Sequence, residues 1–160
     1  MTDKYQLTAW TDKSGRVRMT PSLIASFTEE SLNEIDTLKS RIRFDTHYEI
    51  PDILEVSRGY EMLGNFLSEA GYHREALRQT AQAAICCCTL GYNWTESEWG
   101  DNLCPRLRVR FFDMVDRCKN LFREHAELQF TWDNSGLDRY IDLVTYAQNA
   151  RYKEWEYWLD

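Results

Sequence analysis

The sequence predicts an all-α protein, a compact antiparallel helical bundle with a short β-hairpin-like arm at its N-terminus. Apolar residues recur every three or four positions through most of the chain, which is the spacing of amphipathic helices. Glycines and prolines interrupt those stretches where helices should begin or end. Strand-like alternation is confined to the first twenty or so residues. We therefore expect one domain over residues 1–160, with an arm over 1–25 and a helical body over 28–160.

Composition and charge exclude several classes of protein. Aromatic residues make up 14% of the 160 residues, which is unlike a disordered chain. No apolar run approaches the length of a membrane span, and the N-terminus lacks the apolar segment of a secretory signal. The net charge of −7 disfavours nucleic acid as a partner, because phosphates repel an acidic surface. The five cysteines are an odd number, so we predict reduced thiols and a cytoplasmic protein.

The N-terminal elements are predicted from turn and capping signals. A turn cluster at 12–15, flanked by strand-forming residues, predicts the hairpin. Ser26 followed by Glu29 has the spacing of a capping box. Apolar residues at helical spacing follow it, so the first helix should cover about 28–43.

Four further helical stretches follow. Pro51 fits the first turn of a second helix, which should stop near Gly71. A third helix should cover about 73–90, and a fourth should follow Pro105 after an aromatic-rich loop. The segment "TWDNSG" at 131–136 is expected to separate the fourth helix from the last one.

Small residues stand at fixed points of the second and third helices. Two antiparallel helices can approach closely only where their side chains are small. We therefore expect Gly64 of the second helix to face Ala76 of the third. The small side chain of Ala83 should likewise let the third helix pack closely against the neighbouring helix. Gly71 permits the left-handed backbone that ends the second helix.

Over residues 57–90 this pattern resembles a tetratricopeptide repeat. The positions that match the family's spacing of large and small residues are Leu63, Gly64, Leu67, Gly71, Ala76 and Ala83. Tyr60 stands where the family favours Trp, Thr80 replaces an expected aromatic, and Cys88 replaces the usual proline. No second copy follows directly after residue 90. Because any antiparallel helix pair needs small residues at its crossing, a plain helical bundle is the alternative.

The resemblance implies a protein–protein interaction module, because the first helices of such repeats line a surface that binds peptides. The outward positions of the equivalent helix are Arg58, Glu61, Asn65, Ser68 and Glu69. Some family members use Asn at the position of Asn65, with Lys four residues earlier, to bind a terminal carboxylate. Glu61 occupies that earlier position here, so a basic or neutral peptide is the expected guest. The alternative for these five residues is a solvated helix face.

Two other surfaces give alternative functions. Arg106, Arg110 and Arg117 form a basic edge that could serve a small-anion sensor or an enzyme, or simply pair with nearby acids. Trp155 and Trp158 could close the end of the bundle or form an interface, including that of a homodimer. A structural subunit of a larger assembly is a third alternative.

The sequence assigns no catalytic residue, metal site or cofactor. Consecutive residues on a helix point about 100° apart, so the thiols at 86–88 cannot converge on one metal ion. We expect them to pack as small apolar groups. Cys118 and His125 share a helix face but lie about 10.5 Å apart along its axis, too far for a nucleophile–base pair.

Overall fold

The computed structural model describes residues 10–11, 17–18, 20–44, 50–91 and 105–145. Two short strands, β1 (Trp10–Thr11) and β2 (Val17–Arg18), pair antiparallel, with Trp10 opposite Arg18 and Thr11 opposite Val17. The turn predicted at 12–15 lies outside the described residues. Beyond this four-residue pairing, the N-terminal arm stays a prediction.

All the remaining regular structure in the described ranges is helical. The elements are α1 (Pro21–Phe44), α2 (Ile50–Glu69), α3 (His73–Gly91), α4 (Pro105–Glu124), a 3-10 turn (Ala126–Leu128), α5 (Gln129–Asp133) and α6 (137–145). The prediction of an all-helical body with packed helices is confirmed. None of these helices combines the length and the apolar character that crossing a membrane requires.

The first helix begins well before its predicted start near residue 28. Pro21 is its first residue, and the Thr20 hydroxyl accepts a hydrogen bond from the backbone N–H of Leu23 at 3.3 Å. Thr20 is therefore the N-cap, with proline at the first helical position. Ser26 lies inside the helix and is buried, so the capping box predicted at Ser26 and Glu29 is wrong.

The end of α2 follows the prediction for Gly71. This glycine has a φ of 91°, in the left-handed region. Its N–H donates to the carbonyl of Ser68 at 3.0 Å, and the N–H of Tyr72 donates to the carbonyl of Leu67 at 2.8 Å. These two bonds form a Schellman motif, which satisfies carbonyls that the end of a helix otherwise leaves free. The chain can therefore reverse and begin α3 within three residues.

The α2–α3 contact has almost no side chain between the two backbones. A Cβ atom on Gly64 would lie 2.5 Å from the Thr80 hydroxyl oxygen and 3.3 Å from the carbonyl oxygen of Ala76. Both Ala76 and Thr80 are buried, and the Thr80 hydroxyl donates to the Ala76 carbonyl at 2.8 Å. The expectation that Gly64 faces Ala76 is confirmed.

A second close approach joins α1 to α2. A Cβ atom on Gly59 would lie 2.9 Å from Cγ1 of Ile35, so this crossing also depends on a glycine. Further along, the rings of Phe27 and Phe66 pack with their centroids 4.3 Å apart. Residue numbers rise along one helix as they fall along the other, so α1 and α2 are antiparallel.

The C-terminal helices differ from the predicted layout. Leu107, Phe111 and Val115 of α4 are buried as expected. The helix ends at Glu124, however, because His125 has extended backbone with φ −134° and ψ 80°. The predicted break at 131–136 is only partly right, since α5 extends to Asp133 and the turn at Gly136, with φ 78°, separates it from α6.

Candidate functional site

A polar cluster joins α2 to α4 and brings together residues that the sequence assigned to two different sites. Arg110 of α4 lies at its centre. Its Nη2 donates to Oε1 of Glu61 at 2.7 Å, and its Nε donates to the hydroxyl oxygen of Ser57 at 2.9 Å. A guanidinium has several N–H donors in a fixed plane, so one arginine can hold a carboxylate and a hydroxyl together.

A second arginine of α4 extends this cluster along α2. Nη2 of Arg117 lies 2.9 Å from Oε2 of Glu61, and its Nη1 donates to Oδ1 of Asn65 at 3.2 Å. Glu61 therefore accepts one arginine on each carboxylate oxygen. We call Ser57, Glu61, Asn65, Arg110 and Arg117 the α2–α4 polar face.

These contacts fix the relative direction of the helices. Ser57 pairs with Arg110, and Asn65 pairs with Arg117, so residue numbers rise together and α2 runs parallel to α4. The helix between them in sequence, α3, packs against both. It runs antiparallel to α2, because Ser57 donates to the carbonyl of Ala83 at 2.7 Å while Gly64 lies against Ala76.

Burial differs within the polar face. The side chains of Arg110 and Glu61 are only 18% and 15% exposed, whereas that of Arg117 is 48% exposed. Charges that are shielded from water interact more strongly than exposed ones, so the Arg110–Glu61 pair is the structural centre. Two arginines share one carboxylate, which leaves a formal charge of +1 on the face, and Arg117 is its accessible part.

The other residues predicted for binding lie apart from this cluster. Arg58 and Glu69 are exposed, Ser68 is half-buried, and none of the three takes part in the hydrogen bonds and ion pairs of the polar face among the described residues. Arg106, predicted with Arg110 and Arg117 as an anion site, is exposed at the start of α4. The predicted interface residues Trp155 and Trp158 lie outside the described residues. Binding by any of these residues stays a prediction.

Sequence reasoning missed Ser57. This serine is completely buried and links all three helices of the site, since it accepts from Arg110 and donates to the carbonyl of Ala83. The available signal was its place in the apolar stripe of α2, where it follows Ile53 and Leu54 at helical spacing. A hydroxyl on that stripe needs a buried hydrogen-bond partner.

Two thiols lie beneath the polar face. Sγ of Cys87 lies 3.9 Å from the Ser57 hydroxyl. A hydrogen bond from the Cys86 thiol lowers the pKa of Cys87, and so do a hydrogen bond with Ser57 and the positive charge of Arg110. Burial alone would raise this pKa. The same Cys86–Cys87 hydrogen bond, together with burial, raises the pKa of Cys86. Both side chains are buried, so they pack in the core.

We expect the four described cysteines to resist alkylation in the native protein. Cys86, Cys87, Cys88 and Cys118 are all buried. Burial raises the pKa of Cys88, and it raises the pKa of Cys118 to about 12. Thiolates are the reactive form, so iodoacetamide at neutral pH should label these sites at least about a hundred-fold more slowly than in urea, since reaction requires opening of the fold.

Peptide mapping by mass spectrometry after timed quenching separates these four sites from Cys104, which lies outside the described residues. Labelling of Cys88 or Cys118 at the same rate in buffer and in urea would contradict the burial described above.

A histidine pair forms a second contact that sequence reasoning missed. The rings of His73, at the start of α3, and His125, just after α4, stack with centroids 3.7 Å apart and an interplanar angle of 19°. Nδ1 of His73 is buried and has no hydrogen-bond partner among the described residues, and Nδ1 of His125 lies 3.5 Å from Oε1 of Glu127. The α3–α4 packing brings the two rings together, and no local spacing indicates it.

The chemical groups of the α2–α4 polar face are suited to binding through charge and hydrogen bonds. Within the described ranges, no three His, Cys, Asp or Glu side chains are placed to share a metal ion. No family model, curated protein or solved structure matches this chain.

Proposed function

We propose that the chain is a non-enzymatic protein-interaction module that binds a peptide segment of a partner across the α2–α4 polar face. The observation that supports this most is the parallel course of α2 and α4, with α3 packed against both. In tetratricopeptide-like arrangements the first helices of successive hairpins lie side by side and line the peptide-binding surface. The proposal treats α2–α3 as such a hairpin and α4 as the next first helix.

The charge of the face determines which peptide it favours. Glu61 alone would favour a basic guest, but its carboxylate already accepts both Arg110 and Arg117. The accessible groups are then the exposed Asn65 amide and the half-exposed Arg117 guanidinium. An amide and an arginine bind backbone carbonyls and carboxylates well. We therefore propose a neutral or acidic peptide as the guest.

A peptide-display library tests this proposal. Peptides selected on the unmodified protein are expected to be neutral or acidic. Their Kd should weaken about ten-fold or more in the Asn65→Ala/Arg117→Ala variant, because a polar pair at the centre of an interface carries a large share of the binding energy. The Arg78→Ala variant is the control, since Arg78 is an exposed arginine of α3 outside the polar face. Failure to select any peptide, or equal binding by both variants, would refute the proposal.

A small-anion sensor is the second candidate, and the excess of two arginines over one carboxylate supports it. Inorganic phosphate at millimolar concentration should then raise the melting temperature, as any ligand of the native state does. The shift should disappear in Arg117→Ala and persist in Arg78→Ala. A shift of equal size in both variants would refute specific binding at this face.

A further inference from the structure

A groove separates α1 from α2. It contains a cavity of about 210 Å³. Its floor is apolar, formed by Ile35 of α1 together with Gly59 and Leu63 of α2. Gly59 brings α2 directly against Ile35 at this floor, since a Cβ atom there would lie 2.9 Å from Cγ1 of Ile35. Cavities that hold small-molecule ligands usually measure about 300–1,000 Å³, so this one fits a single side chain better.

Large apolar side chains at the groove remain open to solvent. Met62 is 70% exposed and Phe27 is 41% exposed, and both line the cavity. The ring of Phe27 packs on Phe66, which holds one wall of the groove in place. Exposed apolar groups beside a preformed cavity are typical of surfaces where a partner inserts an anchoring residue.

The rim of the groove on the α1 side is acidic. Glu30 and Glu34 line it, both are exposed, and they lie one helical turn apart, about 6 Å along the axis. Like charges at this spacing repel each other. Neither glutamate has an ion-pair partner among the described residues, and none of the eight described residues that line the groove is basic. The rim is therefore complementary to a cationic guest.

We propose that this groove binds an amphipathic helix of a partner protein. The partner helix inserts one apolar side chain into the cavity and forms ion pairs between two of its arginines and Glu30 and Glu34. Two arginines four residues apart on the guest helix have the same spacing as the two glutamates. Arginine suits this rim because its stem packs on apolar surface while its guanidinium binds a carboxylate. The groove is separate from the α2–α4 polar face, because the two surfaces share the helix α2 but no lining residue.

A helix is favoured over an extended segment as the guest. Backbone N–H and C=O groups need hydrogen-bond partners when they are removed from water. The walls of the groove are helices, whose own backbone groups are already paired, so an extended segment would find no sheet edge to join. A helical guest satisfies its own backbone and presents only side chains.

The test uses the full chain and a fluorescently labelled, alanine-rich helical peptide that carries one leucine, with arginines three and seven residues later. Binding is measured by fluorescence anisotropy, and the methyl NMR signal of Met62 reports the site. We expect saturable binding that shifts this signal. The Glu30→Gln/Glu34→Gln variant should weaken the Kd about five- to thirty-fold, the upper part of the range for two exposed ion pairs. Replacing the leucine of the peptide with alanine should weaken it about ten-fold.

Asp36→Asn is the matched control, because it removes a negative charge from an exposed position of α1 that does not line the groove. Its Kd should stay within about two-fold of the unmodified protein, because residues two positions apart on a helix point to nearly opposite sides. The proposal is overturned if the peptide fails to bind, if it leaves the Met62 signal unchanged, or if Asp36→Asn weakens binding as much as the double variant. Equal binding of a peptide with glutamates in place of its arginines would also overturn it.

Discussion

The free energy of unfolding of the Ala76→Leu variant is expected to be about 3 kcal/mol lower than that of the unmodified protein, because overpacking a tight core contact costs about this much. Ala76 has no exposed surface, and its backbone carbonyl lies against Gly64 of α2. A leucine there has no space unless the two helices separate. For a chain of 160 residues this loss corresponds to a melting temperature lower by roughly 6–12 °C.

Ala25→Leu is the control for this prediction. It makes the same substitution inside a helix, at an exposed position of α1 where the larger side chain can extend into solvent. We expect it to change the free energy of unfolding by less than about 1 kcal/mol, as surface substitutions usually do. Circular dichroism melts and urea titrations of both variants provide the measurement. An Ala76→Leu protein as stable as Ala25→Leu would show that α2 and α3 do not meet closely at this point.

The second large effect is expected at Arg110. Arg110→Met should lower the free energy of unfolding by about 2–3 kcal/mol, because it leaves Glu61 in a largely buried position with one partner fewer. It also removes a hydrogen bond from the buried Ser57 hydroxyl. Arg117→Met removes a bond to the same carboxylate, but from an arginine that is 48% exposed, so its effect should stay below about 1 kcal/mol.

Double-mutant cycles separate these two contributions. Urea unfolding of each methionine variant, alone and combined with Glu61→Gln, gives the coupling energy of each arginine with Glu61. We expect the coupling with Arg110 to be the larger by at least about 1 kcal/mol. Equal couplings for the two arginines would contradict the difference in burial on which the structural role of Arg110 depends.

The α2–α3 hairpin could be predicted from the sequence because its determinants are local. Gly71 requires a left-handed backbone, and the small residues Gly64 and Ala76 lie only a dozen positions apart along the chain. Short-range steric rules apply directly to such a segment. The start of α1 is also determined locally, yet its prediction is wrong. Ser26 and Glu29 have the spacing of a capping box, but the helix is capped by Thr20 and begins at Pro21.

The polar face could not be predicted, because its pairs are distant in sequence. Glu61 and Arg110 are separated by 49 residues, and each has the local pattern of an ordinary solvent-facing helix position. Only the packing of α4 against α3 decides that they meet. The sequence therefore placed Glu61 in a peptide-binding face and Arg110 in a separate anion site. The acidic groove at Glu30 and Glu34 was missed for the same reason, since its opposite wall comes from α2.

Gly64→Ala, measured with and without Thr80→Ala, tests most directly the claim that α2 and α3 touch backbone to backbone. The new methyl group would lie 2.5 Å from the Thr80 hydroxyl, so we predict that Gly64→Ala alone lowers the free energy of unfolding by about 1–2 kcal/mol. In the Thr80→Ala background the loss should shrink by at least about 1 kcal/mol, because the clashing hydroxyl is absent. If Gly64→Ala instead stabilises the protein by about 1 kcal/mol, as helix propensity alone would dictate, the close contact does not exist.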